Sequence, residues 1–131
     1  MRIGFLRSLF GLEIGLLVVQ LAVGINVSLY PIPSATHFGL FFNTGIGLQV
    51  HYYLAIFALI FATLAIASSF VMKNSLASRL SIFGFALLVG AFATGVAFVY
   101  IQESSYYAIA MGIFFVLALI VYESAIFQVK K

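Results

Sequence analysis

The chain has 131 residues, 65% of them apolar and 7% charged, with six Lys and Arg against three Asp and Glu. A soluble domain carries roughly 45–50% apolar and 25% charged residues, so this composition excludes an ordinary water-soluble protein, and six scattered cations offer no surface for nucleic acid. Cysteine is absent, which excludes disulfides, thiolate metal sites, iron–sulfur clusters and c-type haem attachment.

A helix crosses a bilayer core with about 20 apolar residues. Four stretches of the single chain meet that length: Ser8–Tyr30, Leu48–Phe70, Leu80–Ile101 and Ser105–Phe127. The predicted fold is all-α, one integral-membrane antiparallel four-helix bundle over residues 1–131. The first stretch follows Arg2 and Arg7 as a signal peptide would. It is longer than a signal h-region and is interrupted by Glu13 and Gln20, so it reads as a helix of the mature chain. Pro31 and Pro33 end it and open a loop over 31–47, whose "HFGLFF" is too apolar for free solvation and suits the membrane interface. The second stretch begins with "LQVHYY", the third follows the short "KNSLASR", and "QESSYY" joins it to the fourth. Arg2, Arg7, Lys73, Arg79, Lys130 and Lys131 then share one side, which places both termini in the cytoplasm of a cell-membrane protein. Tyr30, Tyr52, Tyr53, Tyr100, Tyr106 and Tyr107 gather at the other side as an aromatic belt.

Membrane helices associate through small and polar side chains, since lipid is as apolar as leucine. On the second helix His51, Ala55, Ala58, Ala62, Ala65 and Ser69 fall on one line. The third offers Ala86, Gly90, Ala93, Thr94 and Ala97, and the fourth Ser104, Tyr107, Ala108, Met111, Ala118 and Tyr122. On the first helix Glu13, Gln20 and Gly24 align. Close packing alone accounts for such lines. Small side chains facing each other can also leave a slot for a flat cofactor, and Ala55, Gly90 and Tyr107 are then its lining.

An ionisable group within a span marks a candidate site, and His51 is directed inward by its line. A neutral imidazole can ligate haem iron without a buried charge. Met111, at similar depth on the diagonal helix, or His37 in the loop supplies the second axial ligand. The competing reading bonds His51 to Tyr52, Gln49 or a loop carbonyl and leaves Met111 as core filling. No Lys or Arg lies between Ser8 and Met72 or between Leu80 and Val129, so haem propionates lack a basic partner there; an uncharged quinone avoids that difficulty. Glu13, Gln20 and Glu123 form a candidate proton path from the cytoplasmic side, or the carboxylates are interfacial and meet Arg7, Arg79 or Lys130.

The runs "QLAVGINVSLYPIP", "HYYLA", "AFATGVAF" and "SYYAIAMGI" resemble a group of small four-span membrane proteins of uncharacterised activity. More distantly, the histidine-led second helix and the glycine-containing third resemble one four-helix half of haem A synthase. That resemblance implies haem binding at His51. Helix four offers Met111 where the family pairs a second histidine, and the His-Arg signature is missing, so haem modification is not implied. The leading expectation is a b-type haem protein of the membrane moving electrons near the outer face, with a quinone or redox protein as partner. The alternatives are an accessory subunit or self-associating scaffold of a larger complex, and a proton-coupled transporter using Glu13.

Overall fold

A computed structural model describes residues 3–29, 46–101 and 105–129. Four helices occupy them: α1 Ile3–Leu29, α2 Ile46–Val71, α3 Ser75–Tyr100 and α4 Ser105–Gln128. Each is long and apolar enough to cross a membrane. The 31–47 loop apart from its last two residues, with His37 and Asn43, and the terminal Arg2, Lys130 and Lys131, lie outside the described residues.

α1 and α3 start more than a turn ahead of the expected spans, so Arg7 and Arg79 stand on helices, both exposed. Arginine is a good helix former, and its long stem carries the charge away from an apolar face. The α3 start is set by Asn74, whose side chain accepts a hydrogen bond from the Ala77 amide at 3.0 Å. Asparagine at that place satisfies one of the orphan amides of a helix start. The turn before it closes through the Met72 amide to Ser68 and the Lys73 amide to Phe70, both 3.0 Å.

The helices pack into a bundle in which α1 and α3 each touch both α2 and α4, leaving α1/α3 and α2/α4 as diagonals. Its surface is apolar: Val18, Phe57, Phe83 and Ile113 are among the exposed large side chains, while Glu13, Gln20, Ser69 and Ser81 are buried. Helices apolar on their outer faces with polar groups turned inward suit lipid rather than water.

Glycines on α3 set its contact with α4. A Cβ at Gly84 would meet Cζ of Tyr122 at 2.7 Å, one at Gly90 the Phe114 ring at 3.2 Å, and one at Gly95 the Met111 sulfur at 3.0 Å. Each missing side chain admits a large one from α4. Gly84, Leu88 and Ala91 are on the inward side of α3 with Ala77 and Ser81, whereas Ala86 and Ala93 of the expected line are exposed. The expectation for α3 is corrected there. Small residues occupy several faces of this helix, and the face that receives Tyr122 and Met111 is the one turned inward. Over the described residues the lines on α2 and α4 match the sequence reading: Ala58, Ala62, Ala65 and Ser69, and Ala118 and Tyr122, are buried, while Ser104 lies outside the described residues.

Hydroxyls within the helices bond to their own backbone. Thr63 donates to the Leu59 carbonyl at 2.8 Å, Thr94 to Gly90 at 2.8 Å and Ser69 to Ala65 at 2.7 Å. Ser69 thus has its hydrogen engaged, and Ser81, 3.2 Å away, donates to it, linking α2 to α3.

Candidate functional site

His51 sits about one to two turns inside α2, half-buried, with its ring laid on α1. A Cβ at Gly24 would stand 3.0 Å from Cε1 and 3.4 Å from Nδ1 of the imidazole. Gly24 therefore makes the space in which the ring lies. The backbone carbonyl of Gln20, one turn earlier on α1, is the imidazole's polar neighbour. Nδ1 is buried with no hydrogen-bond partner among the described residues, and so is Oε1 of Gln20.

Both residues border a cavity of about 230 Å³ lined by all four helices. It exists because the residues turned toward it are short: Ala55 and Ala58 on α2, Ala91 and Gly95 on α3, Ala108 and Gly112 on α4. Leu88 and Phe115 lie at its deeper end, after which the bundle is filled by Leu17, Ala62, Ala118 and Tyr122, all without exposure. The cavity wall is apolar apart from the groups contributed by Gln20, His51 and Tyr52.

Met111 lines the same cavity from the diagonal helix, its sulfur resting against Gly95. Ala55 lines it too. Gly90 does not, because the Phe114 ring occupies its open side, and Tyr107 is half-buried away from the lining. Gly24, Gly95 and Gly112 border the space; the signal for the last two was their placement near Met111 on adjoining faces. The proposed proton path is divided. Gln20 faces the cavity, Glu13 is fully buried in the other half beside Tyr122, and Glu123 is exposed. One residue of advance turns a helix by about 100°, which takes Glu123 off the face that buries Tyr122.

An engineered cavity of about 150 Å³ holds a benzene ring, so about 230 Å³ accommodates one substituted ring. His51 and Met111 turn to different walls, the first to α1 and the second to α3. No group of three or more His, Cys, Asp or Glu that could hold a metal ion occurs among the described residues.

No family model matches the chain, and neither a curated protein nor a solved structure does. The resemblance to half of haem A synthase therefore rests on the quoted runs alone.

Proposed function

We propose that the chain is a cell-membrane protein, an antiparallel bundle with both termini cytoplasmic, whose cavity binds an uncharged ring of the quinone class. The pairing of Gly84 with Tyr122, Gly90 with Phe114 and Gly95 with Met111 supports the antiparallel reading. The placement of its basic residues supports the orientation. One observation carries the binding reading: two buried polar atoms without partners, Gln20 Oε1 and His51 Nδ1, belong to residues that line one apolar cavity. Ligand sites combine apolar walls with a few placed polar groups. Both orphan atoms are acceptors, because the single N–H of a neutral imidazole faces the Gln20 backbone carbonyl, so ring hydroxyls, as a reduced quinone carries, donate to Nδ1 and to Oε1. Neither contact requires a buried charge. Binding of a benzoquinol, kept reduced, to the full chain in lipid vesicles tests this. His51→Ala and Gln20→Leu weaken it, each by about tenfold for a lost hydrogen bond, while helix content is unchanged. Absence of saturable binding overturns the reading, and a Soret band in the purified protein replaces it with the haem one.

A second reading, that of a helix-docking subunit or homo-oligomer, is favoured by the outer side of α1. Gly4, Ser8, Gly11 and Gly15 are exposed there, and a Cβ at Gly4, Gly11 or Gly15 would touch nothing within 4 Å. Glycines spaced by four let membrane helices approach closely. Cross-linking in vesicles that is lost in Gly11→Ile together with Gly15→Ile supports this reading, and unchanged cross-linking removes it.

A further inference from the structure

The cavity is walled unevenly. Gly24, Gly84, Gly90 and Gly95 each have a side chain of a neighbouring helix where a Cβ would go; at Gly112, which lines the cavity from α4, nothing lies within 4 Å. Helix geometry puts Ala108 and Gly112 on the edge of α4 that faces α1. Leu21 and Ile25 come from α1, and Ile25 is 55% exposed while also lining the cavity. A residue that borders the interior and the surface together marks a place where the two are continuous. Farther along the same pair of helices the seam is shut, by the Phe10 and Tyr122 rings at 6.1 Å and by Glu13 beside Tyr122.

The gap lies within the predicted spans of both helices. In a bilayer it opens on hydrocarbon, not on water. Its rim is apolar, and the polar groups Gln20 and His51 are on the inner side of the space. A molecule fitting both places has a polar ring at one end and a hydrocarbon chain at the other.

We propose that the ligand is a tailed lipid drawn from the bilayer, its ring beside His51 and Gln20 and its chain leaving between α1 and α4 past Leu21, Ile25, Ala108 and Gly112. The proposal rests on the ring-binding reading above and adds the source of the ligand and its path. Chain atoms lying in the gap contribute affinity that a bare ring lacks, by burying apolar surface.

Two probes separate the two ideas: a decyl-tailed benzoquinol, and the same ring with a methyl group in place of the tail. Both are titrated into wild type, Gly112→Phe and Ala108→Phe in vesicles, with helix content measured alongside. The expected result is that either variant weakens the tailed probe about tenfold or more beyond any loss it causes for the methyl probe. Equal affinity of wild type and both folded variants for the tailed probe overturns the path and leaves the cavity reading standing. Equal loss of both probes also overturns it, since the new ring then fills the cavity instead of the gap. If wild type binds neither probe, the ring-binding reading fails together with it.

Discussion

Gln20 and His51 in one half of the bundle, and Glu13 and Tyr122 in the other, share an unusual condition: each has a buried polar atom without a hydrogen-bond partner among the described residues. Their surroundings differ. The first pair borders open space of about 230 Å³. The second is wedged among packed side chains, with Tyr122 pressed on Gly84 and against the Phe10 ring. An unsatisfied polar group with room beside it can be satisfied by a ligand or by water. One without room carries its desolvation penalty, about 1–3 kcal/mol for a neutral group. The same chemistry therefore marks a binding site in one half and a local cost in the other.

Glycine substitutions break or confirm this contrast most sharply. Gly84→Leu puts a branched side chain where Cζ of Tyr122 lies 2.7 Å from the Cβ position. Overpacking of this kind costs about 3 kcal/mol or more, read as reduced resistance of the purified protein to unfolding. Gly112→Leu, with nothing within 4 Å of its Cβ, is expected to change stability by less than about 0.5 kcal/mol. Equal losses at the two positions mean that the halves are packed alike.

The orphan groups of the packed half come next in size. Glu13→Leu and Tyr122→Phe remove buried polar atoms that have no partner among the described residues, and each is expected to raise stability by about 1–3 kcal/mol. Lower stability in Glu13→Leu shows that the carboxyl is satisfied in the membrane by something outside the described residues. That outcome favours the proton-coupled transporter reading, which then requires pH-dependent flux abolished by Glu13→Gln.

Filling the hollow half has a smaller effect with two signs. Ala58→Leu places new methyl groups into space lined by Ala55, Leu88 and Ala91. Cavity filling commonly adds about 0.5–2 kcal/mol of stability, and here it also removes benzoquinol binding. A gain in stability with full binding retained indicates that the ring sits elsewhere.

Much of this arrangement was legible in the amino-acid sequence. Hydrophobic length marked out the four helices, and the line from His51 through Ala58 to Ser69 is the one turned inward. Off that line α2 carries the bulky Phe57, Ile60, Phe61 and Leu64, so the line stands out as its most approachable face. α3 has alanine or glycine on several faces, and its inward side could not be chosen until the partners on α4 were known. The rings of Tyr122 and Phe114 make that choice, through contacts between residues distant in sequence. Glu13 and Gln20 were readable as inward-facing by their spacing. That one meets open space and the other a tyrosine was not, because a cavity is a difference between the volumes of four helices. The helices begin ahead of the spans, at Ile3 and Ser75, because charge limits where lipid can be and not where a helix starts.

The smallest expected effect serves as a control on the rest. Lys73, in the turn between α2 and α3, has φ of 55°, a left-handed conformation that glycine adopts without the crowding of a Cβ. Its neighbours hold it there: its amide bonds to the Phe70 carbonyl at 3.0 Å, and the Asn74 amide bonds to Ser69 at 3.3 Å. Lys73→Gly keeps both bonds and relieves the crowding, while the unfolded chain gains freedom that offsets part of the benefit. The net expectation is a rise of about 1 kcal/mol or less, seen as a small shift in thermal unfolding. Because the turn is at the end of the bundle away from His51, benzoquinol affinity should not move with it. If affinity does change, stability and binding are coupled through the whole bundle, and losses of binding in the cavity variants can no longer be assigned to the cavity alone.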